Sequence, residues 1–279
     1  MTDTVSAGLP TRVIPSSGEA IPVVGLGTWS GFDVPPGSAR YAGLAGVLGE
    51  LFSAGGSVID SSPMYARSET TIGELLAADP PRTKPFLATK VWTTGRDAGI
   101  AEMQRSLDLL GVACVDLMQI HNLLDWRTHL ATLREWKQRG TVRYVGVTHY
   151  KAAAHAELEA VMRAESLDFV QVNYSLIEPD AADRILPLAA DRGIAVLANR
   201  PFGEASLAKR VKGRALPAWA AEAGAHTWND LAIAFALSHP AVTCTIPGTA
   251  NTDHMRANTA SARIKLSDSQ QHELVALLR

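Results

Sequence analysis

Cysteine is almost absent: the 279 residues hold two, Cys114 and Cys244, each alone in an apolar stretch. With no CxxC pair and no Cys/His cluster, a disulfide framework and a zinc finger are both disfavoured. An excess of charge of one sign is missing too. Twenty-six Lys and Arg against 28 Asp and Glu leave a formal charge of −2, and no long basic run is present, so the chain lacks an electrostatic track for nucleic acid. No apolar run reaches the roughly eighteen residues of a membrane helix. The opening MTDTVSAGLP has no positive segment leading into an apolar one, so the expected location is the reducing cytoplasm, off the membrane. No feature of the sequence speaks to oligomeric state. What is plentiful is apolar residue, 47% against 19% charged, which gives a globular chain with a large core and excludes disorder.

Short β-branched runs alternate with segments of helical period. The candidate strands are Val23–Gly27, Ser57–Asp60, Phe86–Val91, Val115–His121, Val142–Thr148, Phe169–Asn173, Ala195–Ala198 and Val242–Ile246. Between them, Asp97 is placed to cap a helix over Ile100–Leu110 that Gly111 stops. Arg127–Arg139 ends at Gly140, Ala153–Ala164 has the same period, and Ala181–Arg192 ends at Gly193. A wider gap before the last strand reads as two helices, Leu216–Ala223 and Asn229–Ser238, and Ser267-Asp268 reads as the cap of a final helix.

Eight strand–helix units without an interrupting linker predict an α/β fold, a single-domain (β/α)8 barrel over 1–279. Arg12–Ile14, the turn Pro15-Ser16-Ser17-Gly18 and Ala20–Val23 predict an N-terminal β-hairpin that closes the barrel bottom. The open-sheet alternative fails at Gly25-Leu26-Gly27-Thr28-Trp29-Ser30, where Ser30 stands in place of the third glycine of a dinucleotide fingerprint. A P-loop is also absent.

Parallel barrels place their chemistry at the C-terminal ends of the strands. Strand two ends at Asp60, with Tyr65 on the loop behind it; strand three ends near Lys90 and strand four at His121. Singly, each is most simply a packed or surface residue. Together, an acid, a phenol, an ammonium and an imidazole at consecutive strand ends are hard to explain by packing. The set suits proton donation by a phenol: Lys90 favours the phenolate of Tyr65, Asp60 anchors Lys90, and His121 hydrogen-bonds the oxygen that receives the proton. Such a site serves carbonyl reduction, in which charge builds on oxygen as hydride reaches carbon.

Gly25-Leu26-Gly27-Thr28-Trp29, Asp60 with Tyr65, Lys90, His121, Val145-Gly146-Val147-Thr148, Gln171-Val172-Asn173-Tyr174 and Ile246-Pro247-Gly248 through Asn258 resemble, in order and over nearly the whole chain, the aldo-keto reductases. The resemblance implies a barrel that binds NADPH, or sometimes NADH, across its C-terminal rim and reduces a small aldehyde or ketone. It implies that Gly27, Thr28 and Trp29 border the cofactor and that Gln171 and Thr148 bond the nicotinamide amide. It further implies that Thr249, Asn251 and Asn258 contact the cofactor near a helix N-terminus.

The sequence departs from the family pattern at several places. Thr148-His149 replaces a Ser-Asn pair, Asn199 replaces the tyrosine that stacks on the nicotinamide, and Gly248 and His254 replace basic residues near the 2′-phosphate. Arg256 lies two residues further on, and Arg200 precedes Pro201 after strand seven, so Arg200 is our candidate for the pyrophosphate. Trp29, Trp92 and Trp126 are candidate substrate walls, and the short stretch after Asn258 leads us to expect an open pocket. No metal site is expected, because a barrel hydrolase needs strand-end ligands such as His-x-His after the first strand, where Gly-Leu-Gly stands. Two other classes stay open on the residues: a nicotinamide-binding regulatory or sensor protein, suggested by Asn199 and His149, and a Schiff-base lyase using Lys90.

Overall fold

The computed structural model describes residues 8–278. Met1–Ala7, within the opening stretch read above, and Arg279 lie outside the described residues. Strands β1 (Thr11–Val13) and β2 (Ala20–Pro22) pair antiparallel, with Arg12 opposite Ile21. The next four are β3 (Leu26–Gly27), β4 (Val58–Asp60), β5 (Phe86–Val91) and β6 (Val115–His121). They are followed by β7 (Val142–His149), β8 (Phe169–Asn173), β9 (Ala195–Asn199) and β10 (Val242–Thr245). From β3 to β10 the strands lie parallel, in chain order, in one eight-stranded sheet.

Each predicted strand is found, and the sheet closes on itself. Val24 bridges Thr245 and Gly27 bridges Gly248, with Gly25 N donating to Thr245 O at 2.9 Å. Gly27 makes this seam possible, and Gly25 lets β3 approach β4. A Cβ on Gly27 would stand 2.8 Å from the carbonyl oxygen of Ile246, and one on Gly25 would stand 2.8 Å from both the Cβ and the carbonyl oxygen of Val58. The Gly-Leu-Gly run thus serves close backbone approach on both sides of β3, to β4 and across the seam.

Among the described residues ten α-helices accompany the strands: α1 (Ala39–Ser53), α2 (Ser68–Ala78), α3 (Arg96–Leu110), α4 (Trp126–Arg139) and α5 (His155–Ala164), then α6 (Ala181–Arg192), α7 (Ser206–Val211), α8 (Trp228–Ser238), α9 (Thr252–Ala260) and α10 (Asp268–Leu278). Gly111, Gly140 and Gly193 end α3, α4 and α6 with φ of 71°, 79° and 63°, the left-handed stop that the sequence signals. Asp97 differs from expectation: it sits in the first turn of α3, and Gly95 is the cap.

One predicted helix is corrected. Leu216–Ala223 is a series of turns, in which Ala223 N reaches Trp219 O at 3.1 Å while Ala220 and Gly224 bond three residues back. Pro217 near its start and Gly224, at φ 85°, leave too few residues between them for a second helical turn. The extra helix of this gap is α7, earlier in the chain.

The hairpin closes the barrel bottom as expected. Ile14 and Ile21 are buried in one cluster with Val58, Phe86, Leu117, Phe169 and Leu197, the inward residues near the strand starts. Arg143 on β7 pins the turn from outside by pairing with both Glu19 and Asp116. A plugged bottom leaves the opposite end of the barrel as the place for a site.

Candidate active site

The C-terminal ends of β4, β5 and β6 carry Asp60, Lys90 and His121, and the loop after β4 brings Tyr65 over them. Lys90 has no exposed surface. Its Nζ donates to Asp60 Oδ2 at 2.7 Å and to the Ser61 carbonyl at 2.7 Å, and it lies 5.0 Å from the centroid of the Tyr65 ring. Asp60 is held on its other oxygen by Gln119 Nε2 at 3.1 Å and Gln171 Nε2 at 2.9 Å. The His121 ring stands edge-on to Tyr65 at 5.9 Å. All four groups that the sequence singled out are therefore in one cluster.

Their electrostatics follow from burial and pairing. Desolvation disfavours a charged Lys90, but Asp60 and Tyr65 outweigh it and hold the ammonium above its ordinary pKa. A lysine kept protonated in an ion pair is a poor amine nucleophile, which argues against the Schiff-base alternative. Burial raises the Tyr65 pKa; Lys90 pulls it down without prevailing. The expected bias of Lys90 toward the phenolate is thus present, yet the phenol keeps its proton at neutral pH. Burial, aided by the positive charge of Lys90 and by His149, pushes the His121 pKa down to about 3, so its imidazole is neutral in the working range.

A cavity of about 490 Å³ opens above the cluster. Gly27, Thr28 and Trp29 border it together with Gly248, which bridges Gly27 at the seam; Thr148, Gln171 and Asn199 form its floor, and Arg200 and Pro201 complete the lining. Gln171 already gives its amide N–H to Asp60, and its Oε1 accepts from Thr148 and Asn199, each at 3.4 Å. His149 stands at the end of β7, where its Nδ1 accepts from Lys151 N at 3.1 Å.

Thr249, Asn251, His254 and Asn258 follow β10 onto α9. Asn251 caps that helix by accepting from His254 N at 3.0 Å, and Thr249 Oγ1 accepts from Asn251 N at 3.1 Å. Asn258 is buried and its Nδ2 has no partner.

Both arginines named from the sequence are paired. Arg200 bonds Glu204 at 2.8 Å and lies 4.3 Å from the centroid of the Tyr150 ring, whereas Arg256 bridges Glu50 and Asp253. Trp29 and Trp92 are 52% and 41% exposed, large values for tryptophan, and Trp92 stands 6.3 Å from the His121 ring. Trp29 lines the cavity, whereas Trp92 and Trp126 do not; Trp126 opens α4, packs on the core and carries Arg127 over its ring at 4.3 Å. Sequence reasoning missed Tyr150, Met64 and Phe202, which also line the cavity. No spacing rule separates such loop residues from surface apolar ones.

Among the described residues no group of three or more His, Cys, Asp or Glu is arranged to hold a metal ion, and no helix is long and apolar enough to cross a membrane. Fold and site together define a class: a closed parallel (β/α)8 barrel with a buried lysine–carboxylate pair beneath a tyrosine at its C-terminal rim. The family model described as the Aldo/keto reductase family matches residues 23–279. The chain belongs to that family, one of NAD(P)H-dependent oxidoreductases that act on small carbonyl compounds.

Relatives agree. The aldo-keto reductase str7 of Strobilurus tenacellus is 27% identical over 264 residues, covering 80% of this chain and 77% of that one. An aldo-keto reductase of Mycobacterium sp. (strain KMS) is 31% identical over 202 residues, 69% of this chain and 68% of that one. Of solved structures, a thermostable aldo-keto reductase in complex with the inhibitor epalrestat aligns at TM-score 0.82 and 27% identity, over 96% of this chain and all (100%) of the other. An aldo-keto reductase from Klebsiella pneumoniae in complex with NADPH aligns at TM-score 0.82 and 24% identity, over 97% and 95%.

Proposed function

We propose that the chain acts as one barrel domain that reduces a small aldehyde or ketone with NADPH, NADH being the alternative cofactor, and that Tyr65 supplies the proton. The observation that carries this reading is the placement of Lys90, held by Asp60 at 2.7 Å and facing the Tyr65 ring at 5.0 Å.

Two polar atoms support a nicotinamide cofactor. Asn199 Oδ1 at the cavity floor and Asn258 Nδ2 on α9 are buried without partners, and an unpaired buried polar atom is costly unless a ligand satisfies it. Residues Gly27, Thr28 and Trp29 would border the nicotinamide end, with Thr148, His149, Gln171 and Asn199 holding its amide. Arg200 and Pro201 would flank the pyrophosphate; Gly248, Thr249, Asn251, His254 and Asn258 would take the adenosine end beside the free N–H groups that open α9. A dinucleotide held there would supply the hydride.

Everything else falls to the protein. Trp29 walls the carbonyl compound, and neutral His121 donates a hydrogen bond to its oxygen. As charge grows on that oxygen, Tyr65 gives up its proton, and the fixed charge of Lys90 steadies the phenolate left behind. Asp60 keeps Lys90 charged. The sensor alternative draws on Asn199 and His149; Asn199 Nδ2 donates to Gln171, His149 Nδ1 accepts from Lys151 N, and neither keeps Asp60, Tyr65, Lys90 and His121 from standing together.

Fluorescence titration with each cofactor tests the proposal without a substrate. We expect both to bind, NADPH the more tightly, with Arg200 released from Glu204 to meet the phosphates. Binding of neither overturns it.

A further inference from the structure

His121 has to present a hydrogen on the correct ring nitrogen, and its own chemistry does not decide which. A neutral imidazole carries one proton, on Nδ1 or on Nε2, and the partner of the other nitrogen selects the tautomer. At Nδ1 that partner is Ser62 Oγ, 3.0 Å away.

Ser62 is wholly buried. Its hydroxyl oxygen accepts from Met64 N at 3.2 Å, so the hydroxyl hydrogen is what remains to be satisfied. The acceptor the structure offers for it is His121 Nδ1. A buried hydroxyl that also accepted from an Nδ1–H would be left with its own hydrogen unbonded, the costlier arrangement. The same residue sets the tyrosine: Tyr65 N donates to the Ser62 carbonyl at 2.9 Å, closing a turn with Pro63 at its second position. One residue thus fixes the backbone that carries Tyr65 and the ring that faces it.

We propose that Ser62 is a positioning residue for the reaction: by donating its hydroxyl hydrogen to His121 Nδ1, it holds the imidazole in the tautomer protonated on Nε2. With the opposite tautomer, Nε2 would turn a lone pair toward the substrate oxygen, and attraction would become repulsion as charge develops there. The kinetic consequence rests on the role proposed above for His121; the tautomer itself does not.

The test is nitrogen NMR of protein labelled with ¹⁵N-histidine, without substrate, His121 being assigned by its loss in His121→Asn. In the wild type we expect Nδ1 to resonate as an unprotonated nitrogen and Nε2 as a protonated one. Ser62→Ala should mix the two signals, while Ser62→Thr, which keeps the hydroxyl, should restore them. In parallel, Ser62→Ala should lower kcat/KM for an aldehyde by roughly tenfold or more, the scale of a lost oxyanion donor, with unchanged NADPH affinity.

A protonated Nδ1 in the wild type, or an unaltered pattern in a folded Ser62→Ala protein, overturns the proposal. If Ser62→Ala mixes the tautomers but leaves kcat/KM intact, Ser62 still sets the ring, and it is the substrate contact of His121 that fails.

Discussion

Tyr65→Phe is expected to lower kcat by roughly a thousandfold, within the range that a positioned general acid contributes, while NADPH binds as before. The substitution removes one oxygen and leaves the ring that packs edge-on to His121 at 5.9 Å. The Lys90–Asp60 pair and the cavity floor are untouched, so neither fold nor cofactor site has cause to change. Because burial raises the Tyr65 pKa, the wild-type enzyme should keep its reductive rate through neutral pH and lose it only on the alkaline side, where the phenol ionises. The variant should lack that alkaline limb. Single-turnover NADPH oxidation over a pH series, with a fluorescence titration beside it, reads both effects; full activity in the variant would remove Tyr65 from the chemistry.

Asp60→Ala should cost both stability and activity. Lys90 is completely buried, and removing its carboxylate leaves an ammonium with the Ser61 carbonyl as its hydrogen-bond acceptor. Gln119 and Gln171 also lose the acceptor of their amide hydrogens. Breaking a buried ion pair from one side costs about 3–5 kcal/mol, and at this chain length that corresponds to a fall in Tm of roughly 10 °C. The linked effect on chemistry runs through Lys90: without Asp60, desolvation drives its pKa down, the charge that opposes the burial of the Tyr65 phenolate weakens, and turnover drops further than the loss of stability explains. Thermal melts and kinetics below the melting range separate the two. A variant that melts with the wild type would mean that Asp60 does not hold Lys90 charged.

Much of this architecture is legible in the sequence because its signals are local. Fully buried parallel strands such as Val115–His121 read as continuous apolar runs, and the glycines that stop α3, α4 and α6 need left-handed backbone that few other residues adopt. The cluster proposed to be catalytic is legible for a different reason: strand ends of a parallel barrel share a rim, so finding the strands places Asp60, Lys90 and His121 together. Gly25 and Gly27 are informative only by what they fail to match, since their reason, the close approach of Val58 on the neighbouring β4 and of Ile246 across the seam, lies far along the chain.

Distant pairing was invisible. Arg256 looks available for a phosphate until Glu50, 206 residues earlier, is seen to hold it. Leu216–Ala223 has helical composition, but Pro217 and Gly224 leave it no length to propagate. Ser62 gives no signal either, because a serine before a proline reads as turn chemistry alone.

The most direct measurement is isotope transfer. NADPH carrying deuterium on the nicotinamide C4 is incubated with the enzyme and a simple aromatic aldehyde, and the product alcohol is examined by mass spectrometry and NMR. We expect one deuterium on the carbinol carbon, delivered from one face of the cofactor, with the hydroxyl proton drawn from solvent through Tyr65. Cofactor binding without deuterium in any alcohol, across a broad panel of aldehydes and ketones, would contradict carbonyl reduction as the function of this chain.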